Sequence, residues 1–129
     1  MKGYITDLEK ETKENKDYRR VLYTARYSQL VLMSIKPGDE IGEEVHGLDQ
    51  FIRIEQGEAK VVLDGVETDM KDDWAVVIPA GTLHNVINTS KDTDLKLYSI
   101  YSQPEHKDGT VHSSKSDEKE EHFDGKTTE

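Results

Sequence analysis

The chain contains no cysteine in its 129 residues. Disulfides, thiolate metal sites and cysteine nucleophiles are therefore excluded. A cysteine-free chain fits a reducing compartment, and a cytoplasmic location is the expectation. No apolar run approaches the roughly 20 residues needed to span a bilayer. Met1 to Arg20 is dense in charge and has no apolar h-region, so a secretory signal is not expected. Positive charge is also scarce, with 17 Lys and Arg against 27 Asp and Glu and a net charge of −10. Such a surface repels phosphate backbones, which argues against a nucleic-acid partner and favours solubility. There is no glycine-rich loop of the Walker or dinucleotide type and no Gly-x-Ser-x-Gly elbow.

What is present falls into three zones. Residues 1–20 form a charged arm of mixed sign, read as a short solvated helix or a loose extension. Residues 21–112 hold almost all the β-branched and large apolar side chains and form the one folded domain expected at this length. Residues 113–129 are polar and cannot bury enough apolar area to offset ordering, so a mobile tail is expected.

The middle zone is written in strands. Ser28 to Ile35 is an apolar run stopped by Pro37-Gly38. Gln50 to Gln56 alternates, with Phe51, Arg53 and Glu55 on one face and Ile52 and Ile54 on the other. Ala59 to Leu63 leads into Asp64-Gly65, a strong two-residue hairpin signal. Asp72-Asp73 marks a further turn. Trp74 to Ile78 is an apolar strand stopped by Pro79-Ala80-Gly81, and its Trp74, Val76 and Ile78 are read as core. His84 to Asn88 and Leu95 to Tyr101 complete the set. Eight to ten short strands at hairpin spacing, without a core helix, predict an all-β sandwich or barrel.

Strand alternation also groups the chemistry. Glu44 and His46 share a face, and Gln50 returns to it if the register survives Gly47. Ile52 and Ile54 continue that face, which marks it as the interior. His84, Val86 and Asn88 share a face on a second strand. Imidazoles inside an apolar barrel must find partners, since an unpaired buried polar group costs about 1–3 kcal/mol. Either the polar groups satisfy one another or an ion satisfies them together.

Two motifs carry a resemblance. Pro37-Gly38, His46 and Gly57 follow the first cupin motif in register. Pro79, Gly81, His84 and Asn88 follow the second, with Asp73 where glycine is common. The chain resembles small single-domain cupins from Gly38 to Asn88, with flanking strands extending the likeness over residues 18–112. The resemblance implies a jelly-roll barrel, or double-stranded β-helix, and a homodimer. It also implies metal positions at Glu44, His46, Gln50 and His84. Here the first histidine of the usual set is Glu44 and the usual glutamate is Gln50, so the set keeps a single carboxylate. Two histidines and one carboxylate suit iron, manganese, nickel, cobalt or zinc, with Gln50 as a weak oxygen donor or a group that orients bound water.

The expected function is a metal-dependent enzyme of oxygenase or isomerase type acting on a small organic molecule. The alternative is a metal-free module that binds or senses a small ligand, its Glu, His and Gln groups closed into a hydrogen-bonded network. Phe51 and Arg53 face away from the interior and are candidates for a subunit interface. Tyr98 and Tyr101 line either the pocket or a dimer surface, and Asn88 is read as a turn cap or a member of the polar network. His106 and His112 are read as exposed unless the Pro104–His112 segment folds over the barrel mouth. No role is assigned to His122.

Overall fold

The computed structural model describes residues 1–129. Asp7 caps a short helix, α1 (Leu8–Glu14), by accepting a hydrogen bond from the Lys10 amide at 3.2 Å. Nine strands follow: β1 (Arg19–Thr24), β2 (Gln29–Ile35), β3 (Asp49–Gln56), β4 (Glu58–Leu63), β5 (Val66–Lys71), β6 (Ala75–Ile78), β7 (His84–Asn88), β8 (Leu95–Ser102) and β9 (Val111–His112). They form a six-stranded sheet in the order β6-β3-β8-β2-β1-β9 and a three-stranded sheet in the order β5-β4-β7. Every pairing is antiparallel. The all-β jelly-roll expectation is met.

Alternation fills the space between the sheets. Val31, Met33, Ile35, Ile52, Ile54, Val61, Val86, Leu95 and Leu97 are buried in one continuous cluster. The hairpin at Asp64-Gly65 joins Leu63 to Val66, with both turn residues at positive φ. Gly57 is required where β3 meets β4. Its φ is +106°, and a Cβ there would lie 3.1 Å from the Asp94 carbonyl oxygen and 3.3 Å from Leu95 Cα. Asp73, at φ 72°, adopts the left-handed conformation itself, which accounts for a non-glycine at a position where glycine is common.

Three local readings differ from the structure. Trp74 is half exposed rather than core. It precedes β6 at the exit of the Asp72-Asp73 turn, where alternation does not apply, while Ile78 further along is buried. The barrel also begins inside the charged arm, because β1 starts at Arg19. Finally, the polar tail is not detached. Phe123 donates its amide to the Glu105 carbonyl at 3.0 Å, Thr128 donates to the Thr24 carbonyl at 2.9 Å, and Glu129 accepts from the amides of Lys2 and Gly3 and from the Tyr23 hydroxyl. Its composition predicts no core burial, and polar contacts are what tie it down.

Candidate metal centre

The turn Pro79-Ala80-Gly81-Thr82 sets the site. Gly81 has φ +84°, and the Thr82 amide donates to the Pro79 carbonyl at 3.2 Å. Gly81 also donates its amide to the His46 carbonyl at 2.9 Å, which joins the two histidine-bearing segments. Three residues past Gly81, His84 exchanges both backbone hydrogen bonds with Glu44, each at 2.9 Å. A pair bonded in this way projects its side chains to the same face. From Glu44 to Gln50 every second residue turns inward: Glu44, His46, Leu48 and Gln50 are at least partly buried, while Val45, Gly47 and Asp49 are exposed. The alternation therefore carries through Gly47.

Ligand atoms of Glu44, His46 and His84 all lie within 4.8 Å of one another. The two imidazole centroids are 5.2 Å apart, and Nε2 of His46 is 3.8 Å from Oε2 of Glu44. Two donors on one transition-metal ion, each at about 2.1 Å, can be at most about 4.2 Å apart, so the cluster is within a small adjustment of closing on an ion.

The ring nitrogens are differentiated by their surroundings. Nδ1 of His84 is 2.9 Å from the Thr82 carbonyl oxygen, which can only accept. That nitrogen therefore holds the proton, and Nε2 offers its lone pair. Nδ1 of His46 faces Oε1 of Glu105 at 3.5 Å, while its buried Nε2 has no hydrogen-bond partner. A carboxylate behind a histidine is the arrangement that orients a metal-ligating imidazole. Burial pushes the Glu44 carboxyl above its ordinary value, opposed by Arg19 and His84. Burial also pulls His46 below the usual histidine value, opposed by Glu105.

Gln50 completes the floor. Its Nε2 donates to Ser99 Oγ at 3.1 Å and to the Tyr101 hydroxyl at 3.2 Å, and its buried Oε1 has no hydrogen-bond partner. Tyr101 sits edge-on to His46 and to His106, with ring centroids 5.9 and 5.2 Å away. Two acceptor atoms, His46 Nε2 and Gln50 Oε1, are thus buried with free lone pairs. A cation on Glu44, His46 and His84 satisfies the first of these, and the donor set fits one.

A model of the cupin domain matches residues 31–101. The chain belongs to the cupin family. This cupin is 45% identical over 123 residues to an uncharacterised Bacillus subtilis protein, YrkC, covering 90% of the chain and 66% of that relative's length. Its fold matches a crystal structure from Bacillus halodurans with a TM-score of 0.87 and 44% identity, over 90% of this chain and 92% of that one. An RmlC-like cupin from Shewanella frigidimarina shares the fold, with a TM-score of 0.60 and 20% identity over 65% of this chain and 73% of that one.

Several residues of this cupin's site carried no local signal. Glu105 is placed by Gln29, whose amide mimics a backbone partner: Oε1 accepts from the amides of Glu105 and His106 at 3.2 and 3.0 Å, and Nε2 donates to the His106 carbonyl at 2.8 Å. His106 is buried, with Nε2 3.4 Å from the Tyr101 hydroxyl. His112 is buried beside Arg19. His122, given no role, lies with Nδ1 3.1 Å from Glu105 Oε1. Asn88 caps the loop after β7, donating to the Ile35 and Thr93 carbonyls and accepting from the Ser90 amide, each at 2.9 Å. Tyr101 lines the interior, whereas Tyr98 lies on the outer face against Phe51. Above the cluster is a cavity of 310 Å³ whose lining includes Arg19, Glu44, His46, Glu105, Glu118 and His122.

Proposed function

We propose that this cupin holds one divalent transition-metal ion on Glu44, His46 and His84, with Gln50 as a fourth oxygen donor or a partner to bound water. It acts on a small organic molecule in the cavity above. The observation that supports this most directly is the pair of unpartnered lone pairs, on His46 Nε2 and Gln50 Oε1. Among the side chains alone both stay unpaired, at a cost of about 1–3 kcal/mol each.

A bound ion supplies Lewis-acid polarisation of a substrate oxygen and, if redox-active, an open position for dioxygen. The chain's own residues supply the remainder. Thr82 and Glu105 hold the two imidazoles in the orientation that presents Nε2. Glu44 supplies the single carboxylate of the donor set. The cavity is large enough for a small metabolite and opens onto Glu44 and His46. The reaction class is oxygenase or isomerase.

Elemental analysis of untagged protein purified without added metal tests this reading. About one equivalent of metal per chain is expected, and its loss in His84→Ala. Protein that takes up no metal on titration would instead be a ligand-binding module.

We also propose a homodimer through the outer face of the large sheet. Val77 pairs with Phe51, Phe51 with Ile100, and Ile100 with Leu30, so an apolar row crosses four strands. Val77 is exposed and the other three are half-buried. Self-association covers such a row. Light scattering should give a dimer mass that Phe51→Glu converts to monomer.

A further inference from the structure

Four buried side-chain atoms have no hydrogen-bond partner, and one of them, Arg19 Nε, belongs to a residue that lines the metal-centre cavity and is not a metal ligand. The Arg19 side chain is only 4% exposed. It projects inward from β1 on the same face as Val21, and its guanidinium lies over the Tyr18 ring, 5.3 Å from the centroid. Each of its hydrogen bonds leaves from Nη1: one to Glu118 Oε2 at 2.6 Å and one to His112 Nδ1 at 3.4 Å. The Nε–H of a charged donor fork is left without a partner. Guanidinium is the protein group whose planar fork matches a carboxylate bidentately.

Glu118 is a different kind of partner. It comes from the polar tail, is far more exposed than the arginine it meets, and flanks the short 3-10 turn at Lys115–Asp117. Its amide donates to the Lys115 carbonyl at 3.1 Å, and its carboxylate is held by Arg19. The chain has set a carboxylate of its own on a buried arginine at the mouth of the pocket.

We propose that Arg19 is the carboxylate-reading residue of this pocket and that Glu118 is its built-in occupant, displaced when substrate enters. The substrate class is then a small organic acid, bound by its carboxylate at Arg19 with its reacting end toward Glu44, His46 and His84. This rests on the proposed function only for the location of the substrate. Glu43, Glu120 and Glu121 rim the same cavity and oppose an incoming anion. Displacement of the tail therefore frees the guanidinium and moves part of that repulsion away.

The test uses the metal-free 129-residue chain with acetate as the probe and methylammonium as the cation control, following by NMR the backbone amide signals of the pocket-lining residues Glu43, Glu44, Val45, His46, Glu105 and His106. A tethered carboxylate competes at high effective concentration, so Glu118→Ala should bind acetate about tenfold or more tightly than the unmodified chain. Arg19→Lys in that background, which keeps the charge and removes the fork, should lose the gain. In the unmodified chain, high acetate should shift the amides of residues 117–122 as the tail leaves. No gain in Glu118→Ala, a gain that survives Arg19→Lys, or an equal response to methylammonium overturns the proposal. Absence of metal in the elemental analysis, with acetate still bound at Arg19, would overturn the metal reading alone.

Discussion

Glu105 stands behind His46, its Oε1 3.5 Å from Nδ1, on the ring nitrogen that does not face Glu44. The imidazole is thus addressed by a carboxylate at each nitrogen, and only one of them belongs to the donor cluster. The Glu105 charge favours the proton on Nδ1 and so favours a free lone pair on Nε2. Replacing it with glutamine should weaken metal affinity by about 10–100-fold while leaving stoichiometry at one. Competition with a chromophoric chelator measures this, and an unchanged affinity would remove Glu105 from the site.

Gln50 occupies the position where the usual cupin set has a glutamate. Its Nε2 faces two hydroxyls, Ser99 and Tyr101, and hydroxyls can donate as well as accept. Gln50→Glu therefore fits the same space and adds a charged oxygen donor. Metal affinity should rise about tenfold or more in the same chelator competition, and Gln50→Leu should lower it.

His106 gives the fold an acid limit. Burial, helped by the nearby Arg19 charge, pulls its pKa down to about 3. The unfolded chain binds that proton near pH 6.5, so between about pH 6.5 and 3 the unfolded state holds more protons than the folded one. Stability is full above this window and falls on acidification through it, by about 1.4 kcal/mol per pH unit for this one group. Urea unfolding from pH 7.5 to 4.5 should show this slope, and His106→Asn should reduce it.

Asn88 is an expected stability determinant rather than a catalytic one. It is buried and satisfies the Ile35 and Thr93 carbonyls and the Ser90 amide. Asn88→Ala strands these groups and should cost about 2–4 kcal/mol in urea unfolding. Metal content of the folded fraction should be unchanged.

Period-two alternation and turn chemistry are properties of neighbouring residues, so they are legible without a structure. Ile52 and Ile54 point inward for that reason, Asp64-Gly65 closes a hairpin, and Glu44, His46 and Gln50 share a face. The second motif likewise announces His84, because Gly81 provides the positive φ that starts its strand. Trp74 shows the limit of the rule, since one residue outside the strand the alternation no longer decides burial.

Fold class and the inward face were determined by the sequence itself, through patterns spanning a few residues, whereas the meeting of His46 with His84 was implied by the resemblance to cupins. Glu105 behind His46, Arg19 at the cavity and Glu118 upon it were decided only by the tertiary structure. Each joins segments distant in the chain through polar contacts. Composition shows that residues 113–129 bury no core, but it carries no record of which carbonyl, amide or guanidinium they meet. Hydrogen bonds and ion pairs are selected by geometry in space, and that geometry exists only once the barrel has closed.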